Sequence, residues 1–560
     1  MTSIPATFFT KDGQRLSKLA YAFLLLLCIA FFTPGIATLP PTDRDESSFA
    51  QASKQMIETG NYVDIRLQDK PRYKKPIGIY WLQSASVRLL NVDHLNEIWA
   101  YRIPSLLGAT VAVLMTAALG TLLFGPMTGL LAAMMMAGCV ILNAEARLAK
   151  TDAALLGSIM VMQFTLARAY MGIRSWRNSL IFWLALGVGI LIKGPIPLLI
   201  LFSTLLYLRF AEKHAKWFRN LKPLPGLILL ALIVVPWFVA IMLQSHGSFA
   251  TQSAGQDLFS KLWQGQNRGI MPPGMHLLAL PIVFFPFALF ATLAIPDSWK
   301  DRHQKGVGFC IGWILPTWIV FEISLTKLPH YTLPVYPAIA LLSARALLAG
   351  YPALNEKKAS RWVWASVVAL WLTIGTGFAI IFAGLPMISD NKWSIAQIIA
   401  GAVLILSQGA ALYLIFKRKT DSVIVLSFGS LVFMGCVFGL TLPSLDHLWL
   451  SRQAVQMAQS IKPCDHLEMV SASYGEPSLV FMAGTDTQIV SNGELAAASM
   501  IDDNCRIGLI DDKKKDDFLA GFHAARAEPL ALGKVEGINI GHGKSAAMTL
   551  YVMPPKINAP

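Results

Sequence analysis

Apolar runs long enough to cross a bilayer recur along the first four-fifths of the chain. A spanning helix needs about 20 mostly apolar residues, and by that rule about thirteen segments qualify. The fifth and sixth meet at Lys193-Gly194-Pro195, where glycine and proline predict a helix break. The pattern therefore predicts a mainly α membrane protein, with transmembrane helices at residues 19–38, 99–124, 126–143, 153–172, 179–193, 195–210, 224–243, 276–295, 307–325, 332–349, 362–384, 394–416 and 422–443.

Basic residues between the predicted spans indicate how the chain is oriented. If the chain breaks at residues 193–195, the loops rich in lysine and arginine fall on one side, as the positive-inside rule requires of cytoplasmic loops. Joining residues 179–210 into one span would place every later basic loop outside. The N-terminus is therefore predicted to be cytoplasmic, and the first loop, residues 39–97, and the tail are predicted to be periplasmic. The basic cytoplasmic residues include Lys11, Arg15, Lys18, Arg174, Arg177, Lys300, Arg302, Lys305, Arg345, Lys357, Lys358, Arg361, Lys417 and Lys419.

The composition agrees with a lipid environment for most of the chain. Of 560 residues, 54% are hydrophobic and 14% are charged, and the mean hydropathy is +0.53, whereas soluble proteins carry about 25% charged residues. Residues 1–444 hold 37 basic and 19 acidic side chains, and residues 445–560 hold 10 and 14. The net charge of +14 therefore belongs to the membrane part and does not indicate a nucleic-acid binder. We predict two domains, residues 1–444 and residues 445–560.

The tail alternates apolar runs with helix-like stretches, which predicts a small α/β domain. Cys464 and Cys505 lie in this tail. In an oxidising compartment they could form a disulfide, although the sequence does not establish that they are close. The remaining cysteines lie in apolar segments and are predicted to be packing residues; they are Cys28, Cys139, Cys310 and Cys436.

Cations also collect on the predicted periplasmic side, against the topogenic bias. The first loop carries eight of them, and single cations recur at Lys150, Lys193, Arg268 and Lys327. Snorkelling of long side chains to lipid headgroups is the alternative explanation, chiefly for Lys54, Arg66 and Arg88. Because the set adjoins acidic residues and helix-breaking turns, we favour an anionic ligand near the headgroups, such as a phosphate.

Two amphipathic helices are predicted in the first loop. Phe49, Ala52 and Met56 form one helical stripe within residues 47–59, and a second helix is predicted after Lys75-Pro76. Both helices are expected to lie on the bilayer. Asp43 and Glu46 precede or begin the first helix, so helix capping is an alternative to a functional role for these two acids.

Five motifs share the predicted periplasmic placement. They are Asp45-Glu46 before Phe49-Ala50, Lys75-Pro76 before Tyr80-Trp81, the segment Arg147–Asp152, the pair Lys193-Gly194 and the segment Lys327–Tyr331. In this order they resemble the bacterial polyprenyl-phosphate-sugar glycosyltransferases of the protein O-mannosyltransferase-like group, which includes the lipid A 4-amino-4-deoxy-L-arabinose transferases. The resemblance covers the full length of the chain. It implies a C-type glycosyltransferase fold, with a cavity between the first loop and the membrane helices.

The resemblance also implies roles for individual residues. Asp45 matches the essential carboxylate of the family, Lys75 a contact of the donor phosphate, and Asp152 a second functional acid that orients Lys75 or the substrate. Lys74 stands where the aminoarabinose transferases tend to have an acid, so we predict no metal site and leave the sugar open; no cofactor is predicted either. The further residues predicted to bind substrate are Arg44, Glu46, Lys193, Arg268, Lys327 and Tyr331.

These features together predict an inverting glycosyltransferase of the bacterial inner membrane. It would move a sugar from a polyprenyl phosphate, such as undecaprenyl phosphate, to lipid A or the lipopolysaccharide core at the periplasmic face. Transfer to another glycolipid or to protein is an alternative, and so is a membrane transporter of lipid-linked substrates. A transporter should hold ionisable groups near the midplane, whereas these charges gather on one face. A non-catalytic scaffold gives no reason for paired acids and bases in separate outer turns.

Overall fold

Helices dominate the computed structural model, which describes residues 4–212, 216–253, 272–352, 361–390, 393–417, 419–461, 464 and 468–554. Within those ranges, nine helices are long and apolar enough to cross a membrane, and each coincides with a predicted span. The prediction of a multi-pass membrane protein is therefore confirmed. The nine are Ile98–Phe124, Thr151–Tyr170, Trp176–Lys193, Pro223–Gln244, Lys305–Ile323, Pro329–Ala349, Trp362–Ser389, Ile395–Phe416 and Asp421–Ser444.

The four remaining predicted spans are helical too, but shorter or interrupted. They correspond to Lys18–Phe32, Pro126–Gly138, Ile196–Ala211 and the pair Met275–Val283 and Ala288–Lys300. The predicted break between the fifth and sixth spans is confirmed, because one helix ends at Lys193 and Gly194 has φ 57°, a region that favours glycine. Thirteen membrane crossings remain a prediction.

Glycines bring neighbouring membrane helices into close contact. A Cβ added at Gly108 would lie 2.4 Å from the Ala153 carbonyl oxygen, and one added at Gly129 would lie 2.3 Å from the Ala117 carbonyl oxygen. Lipid provides little hydrophobic driving force between helices, so close backbone approach is a main source of their attraction. The first of these contacts fixes the Thr151–Tyr170 helix, whose first turn carries Asp152.

The first loop folds into the helices Asp45–Thr59 and Gly78–Leu89 and a hairpin of β1, Arg66–Leu67, with β2, Lys70–Pro71. The stripe of Phe49, Ala52 and Met56 is helical as predicted, but these side chains are buried. The Phe49 ring centroid lies 5.4 Å from that of Tyr80 in the second helix. The prediction that these helices lie on the bilayer is therefore wrong for this face, because the two apolar faces cover each other.

A five-stranded sheet organises the C-terminal domain, in the order β4-β3-β5-β7-β6. Strand β3 pairs in parallel with β4 and β5, and β7 pairs antiparallel with β5 and β6. The strands are β3 Glu468–Ala472, β4 Gln488–Val490, β5 Arg506–Asp511, β6 Leu530–Asn539 and β7 Lys544–Val552, and the helices are Leu450–Ile461, Pro477–Ala483, Gly493–Asp502 and Lys515–Ala524.

This mixed sheet with its helices confirms the predicted small α/β domain. Cys464 and Cys505 form a disulfide, with their Cα atoms 5.5 Å apart. The four other cysteines are buried, in agreement with a packing role. The domain has apolar clusters of its own, centred on residues such as Met469 and Leu550 in one and Val470 and Phe518 in the other.

Candidate functional site

A cavity of about 2210 Å³ lies between the first loop and the C-terminal domain. Its walls come from three parts of the chain: residues 42–48 and 67–74 of the first loop, the turns at 148–150 and 325–330 between membrane helices, and the domain's residues 475–477, 485–489 and 540–543. Pockets for drug-sized ligands typically measure about 300–1,000 Å³, so this cavity has room for a larger ligand or for two substrates at once.

The C-terminal domain is held against the first loop by hydrogen bonds and apolar packing. Gln68 Nε2 donates to the carbonyl oxygens of Thr485 (3.0 Å) and Thr487 (2.6 Å). Lys54 Nζ donates to the Phe481 carbonyl at 3.3 Å, and the Phe481 ring is buried in an apolar cluster with first-loop residues. The domain therefore packs directly against the first loop and forms one wall of the cavity.

The turn before the Asp45–Thr59 helix has an uncommon backbone conformation. Arg44, its N-cap residue, has φ 67° and ψ −99°. Non-glycine residues rarely adopt such angles, which cost about 1–3 kcal/mol. Ser47 Oγ donates to the Thr42 carbonyl at 2.5 Å, and Ser48 Oγ donates to the Arg44 carbonyl. These hydrogen bonds hold a strained turn of the kind that clusters at functional sites.

Glu46 ties this turn to the membrane helices. Its side chain is 1% exposed. Oε1 accepts hydrogen bonds from Arg102 Nε (2.8 Å) and the Ala149 amide (2.9 Å), and Oε2 accepts from the Thr42 amide (2.8 Å) and hydroxyl (2.9 Å). Burial alone would raise the pKa of Glu46, but the Arg102 guanidinium and these hydrogen bonds hold it below its usual value. Both oxygens of Glu46, which was predicted to bind substrate, are thus engaged by the protein.

Asp45, by contrast, is the accessible carboxylate of the turn. Its side chain is 63% exposed, and Oδ1 lies 4.0 Å from Arg72 Nη2. Arg72 is buried, donates to the Tyr80 hydroxyl at 2.8 Å and stacks over the Phe49 ring at 4.5 Å. A rigid cation therefore stands beside an exposed carboxylate at the cavity wall, a suitable position for a general base.

Five ionisable side chains, which we call the charge cluster, meet beside the cavity: Glu145, Lys150, Asp152, Lys193 and His330. Lys193 Nζ lies 2.5 Å from Asp152 Oδ1, and Lys150 Nζ lies 2.9 Å from Glu145 Oε1 and 3.9 Å from Asp152 Oδ2. His330 reaches both acids, at 3.8 Å from Glu145 and 3.9 Å from Asp152. Since Lys150 and His330 line the cavity, the charge cluster faces it through these two residues.

Two more of the predicted binding residues lie at the start of the Pro329–Ala349 helix: Lys327 just before it and Tyr331 in its first turn. Lys327 lines the cavity, is 5% exposed and donates to the Ser324 carbonyl at 2.7 Å. The ring centroid of Tyr331 lies 5.8 Å from Lys193 Nζ. The predicted meeting of Asp152, Lys193, Lys327 and Tyr331 in one region is thus visible in the fold.

The first-loop cations are placed less uniformly. Arg44 and Lys74 line the cavity. Lys75 Nζ donates to the Lys74 carbonyl at 2.9 Å, next to that wall. Arg268 lies outside the described residues. Within the described residues, no three histidine, cysteine, aspartate or glutamate side chains are grouped to hold a metal ion, and the predicted absence of a metal remains a prediction.

Burial raises the pKa of two acids near the cavity. Glu145 is buried and has a pKa of about 7, although Lys150 lowers it. Asp43 has a pKa of about 6, because burial outweighs the hydrogen bond that it accepts from Ser478 of the C-terminal domain. Each can therefore change its protonation near neutral pH.

Sequence reasoning missed three buried residues of this region: Arg72, Arg102 and Glu145. Arg102 gave the clearest signal, because it lies inside a predicted span, where a charge is by default structural or functional. Arg72 looked like one of several loop cations. Glu145 gave no signal, since its importance depends on the partners that the fold brings to it.

Relatives with known names match part of this chain. A family model described as dolichyl-phosphate-mannose-protein mannosyltransferase matches residues 74–239. The undecaprenyl phosphate-alpha-4-amino-4-deoxy-L-arabinose arabinosyl transferase 1 of Pseudomonas fluorescens is 24% identical over 59% of this chain and 60% of its own length. A transferase of the same activity from an Enterobacter species is 24% identical over 63% of this chain and 62% of its own length. The chain thus spans about 60% of these curated relatives.

Solved structures match over almost the whole chain. The crystal structure of ArnT from Cupriavidus metallidurans bound to undecaprenyl phosphate has a TM-score of 0.74 and 16% identity, and covers 97% of this chain and 100% of its own. The apo structure gives a TM-score of 0.70 at 17% identity, with 95% and 97% covered. At such identity the likeness establishes the fold. The chain thus has the fold of ArnT, and it resembles the polyprenyl-phosphate-sugar glycosyltransferases, as its five motifs predicted.

Proposed function

We propose that this protein is an inverting glycosyltransferase that moves a sugar from a polyprenyl phosphate to a lipid acceptor at the periplasmic face of the bacterial inner membrane. The observation that carries the proposal is the exposed carboxylate of Asp45 in a large cavity that Arg72, Lys150 and Lys327 also line. The named relatives act with undecaprenyl phosphate-linked aminoarabinose, and ArnT was crystallised with undecaprenyl phosphate. Both favour a polyprenyl phosphate as the carrier.

Asp45 is the proposed general base. The acceptor hydroxyl attacks the anomeric carbon in line, the bond from that carbon to the phosphate oxygen breaks, and the configuration inverts. The acceptor proton passes to Asp45, a contribution of about 10²- to 10⁴-fold. If the acceptor is a phosphate of lipid A, it is already ionised, and Asp45 then positions it.

The cations hold the phosphate. A phosphate is a good leaving group, so the protein has chiefly to position it and to neutralise its growing charge. Asp152 lies 2.5 Å from Lys193 and 3.9 Å from the cavity-lining Lys150, so it positions both cations. The residues that we propose for donor contact are Arg44, Lys75, Lys193, Arg268, Lys327 and Tyr331.

Lipid A or the lipopolysaccharide core is the proposed acceptor, and transfer to another glycolipid or to protein is the alternative. The acceptor would enter between the first loop and the C-terminal domain, since this is where the cavity has walls from both. Mass spectrometry of lipid A and core from a deletion strain identifies the sugar from the missing mass and the acceptor from its fragments. An unchanged glycolipid profile would exclude these acceptors.

The proposal includes the sidedness of the protein. We propose thirteen crossings, a catalytic transmembrane domain at residues 1–444, and a periplasmic domain at residues 445–560. Labelling with a membrane-impermeant maleimide in intact spheroplasts tests it, since the four free native cysteines are buried. Asn91→Cys in the first loop should react, and His303→Cys in a predicted cytoplasmic turn should not. If only His303→Cys reacts, the orientation is the reverse of the one proposed, and the cavity faces the cytoplasm.

Transfer in reconstituted liposomes tests the chemistry. The purified protein is given a panel of radiolabelled sugars on polyprenyl phosphate together with lipid A. Asp45→Asn keeps the size of the side chain but removes the base, and should reduce transfer by at least about 100-fold. Asp69→Asn removes another cavity-lining carboxylate and should retain activity. Equal activity of the two variants would remove Asp45 from the mechanism, and no transfer by the wild type with any donor would count against the enzyme.

A further inference from the structure

One buried acid of the charge cluster has no role in the reaction described so far. Glu145 ends the helix Val140–Glu145 and is 3% exposed. Its Oε1 lies 2.9 Å from Lys150 Nζ and 3.8 Å from His330 Nδ1. Its Oε2 is buried and has no hydrogen-bond partner within the described ranges. A buried carboxylate with one oxygen unbonded is poorly stabilised as an anion, so a proton can reside there.

The net charge of the charge cluster depends on that proton. When Glu145 and Asp152 are both ionised and His330 is neutral, two negative charges balance Lys150 and Lys193. The cluster then offers no net positive charge to a ligand. When Glu145 is protonated, the cluster carries one positive charge, and Lys150 at the cavity wall loses its nearest anionic neighbour.

The charged groups that face Glu145 and Lys150 come from several elements of the fold. Asp152 and Lys193 act on Glu145 from the two neighbouring membrane helices, and His330 faces it from the first turn of a third, Pro329–Ala349. Asp45 acts on Lys150 from the first loop. Protonation of Glu145 therefore reaches the cavity through Lys150, the residue of the pair that lines it.

Sugar transfer increases the negative charge of the phosphate. In the donor the phosphate is a diester with one negative charge. As the bond from the anomeric carbon breaks, its electron pair stays on the phosphate oxygen, and the acceptor proton goes to Asp45. The leaving group becomes a monoester with two negative charges, so the site must stabilise a charge in the transition state that the donor lacks.

We propose that Glu145 holds a proton while Lys150 contacts the lipid phosphate, so that the charge cluster carries the positive charge that the leaving phosphomonoester requires. The inference rests on the proposed function. Glu145 acts through Lys150 and is a positioning residue, not a catalytic one. Its pKa of about 7 is raised by burial, and a nearby dianion raises this pKa further, so monoester binding should be accompanied by proton uptake.

Titration calorimetry of the full-length protein in detergent measures this uptake. Farnesyl phosphate serves as the monoester and farnesyl methyl phosphate as the diester, each at pH 8 in two buffers of different ionisation enthalpy. At that pH most of the carboxyl is ionised before the ligand binds, so the wild type should take up protons with the monoester, to a limit of about one per site. The diester, with one charge fewer, should cause a smaller uptake.

Glu145→Gln separates this residue from other proton acceptors. The variant should bind the monoester without proton uptake, and its affinity should be constant between pH 7 and 9, whereas wild-type affinity should fall by up to about 10-fold per pH unit. Asp297→Asn changes another buried carboxyl, which is outside the cavity lining, and should keep the wild-type uptake.

Each result bears on the inference in a defined way. Uptake that persists in Glu145→Gln would assign the proton to His330 or to the phosphate and overturn it. Absence of uptake by the wild type would overturn it even if the variant fails to fold. If the wild type binds both esters but the predicted proton uptake at Glu145 is not observed, only this inference fails. If it binds neither ester, the proposed donor fails as well.

Discussion

Replacing Arg102 by methionine should strongly destabilise the protein, because the substitution removes one partner of a buried ion pair. Arg102 is fully buried in the Ile98–Phe124 helix. Its guanidinium binds both oxygens of Glu46, at 2.8 and 3.2 Å, and donates to the carbonyls of Ile36 (2.8 Å), Leu39 (2.7 Å) and Pro40 (3.1 Å). Methionine keeps much of the volume but removes the charge and every donor.

The magnitude follows from the charge left behind. Without Arg102, Glu46 keeps hydrogen bonds from Thr42 and Ala149 but loses the guanidinium with which it forms its ion pair. Breaking a buried ion pair by removing one partner costs about 3–5 kcal/mol. Arg102→Lys keeps the charge but loses the planar guanidinium and its paired donors, so this variant should lose less stability than Arg102→Met. In Arg102→Met/Glu46→Leu no unpaired charge remains, and much of the stability should return.

Denaturant or thermal unfolding of the purified protein in detergent measures these differences. Arg345→Met serves as a control, because its partner Asp301 and Arg345 itself are partly exposed, at 29% and 18%. Loss of that pair should cost at most about 1 kcal/mol. A loss below about 1 kcal/mol for Arg102→Met, or a double variant as unstable as the single one, would refute the assignment of Glu46 and Arg102 as a buried anchor.

Three further outcomes are expected. Burial raises the pKa of Asp43 to about 6, above its value in the unfolded chain, so its contribution to stability is present below pH 4 and is lost as the pH rises through 6. The melting temperatures at pH 5 and pH 8 should therefore differ, and Asp43→Asn should reduce that difference. An unchanged difference would exclude Asp43 as its source. The Cys464–Cys505 disulfide closes a loop of 41 residues. Its removal by double alanine substitution should lower the free energy of unfolding of the C-terminal domain by up to about 4 kcal/mol, as measured by chemical unfolding. No loss would mean that the disulfide does not stabilise the domain. Gln68→Ala removes two hydrogen bonds to that domain and should increase deuterium exchange at residues 485–487 without changing the exchange of β5; equal exchange would show that docking does not depend on Gln68.

The membrane architecture was largely readable from the sequence. In lipid, a backbone must satisfy its hydrogen bonds within the segment, so an apolar run of sufficient length specifies a helix before any packing is known. The break at Gly194 was predictable for a similarly local reason, since glycine and proline follow one another there. The α/β character of the tail also followed from its pattern.

The partners of polar side chains were not readable in this way. Asp152 pairs with Lys193, which is 41 residues away, and Ser478 hydrogen-bonds Asp43 from a different domain. The stripe of Phe49 was predicted to face lipid and instead faces the Gly78–Leu89 helix. An amphipathic pattern specifies that an apolar face will be covered, but not what covers it.

The sequence alone determined where helices form and on which predicted side the charges gather, because length, hydropathy and glycine act within one segment of chain. Only the tertiary structure decided that Glu46 is an anchored acid while its neighbour Asp45 is exposed, and that Glu145 shares Lys150 with Asp152. The difference is physical: solvation and pairing set the behaviour of a carboxylate, and both depend on residues that folding brings from elsewhere.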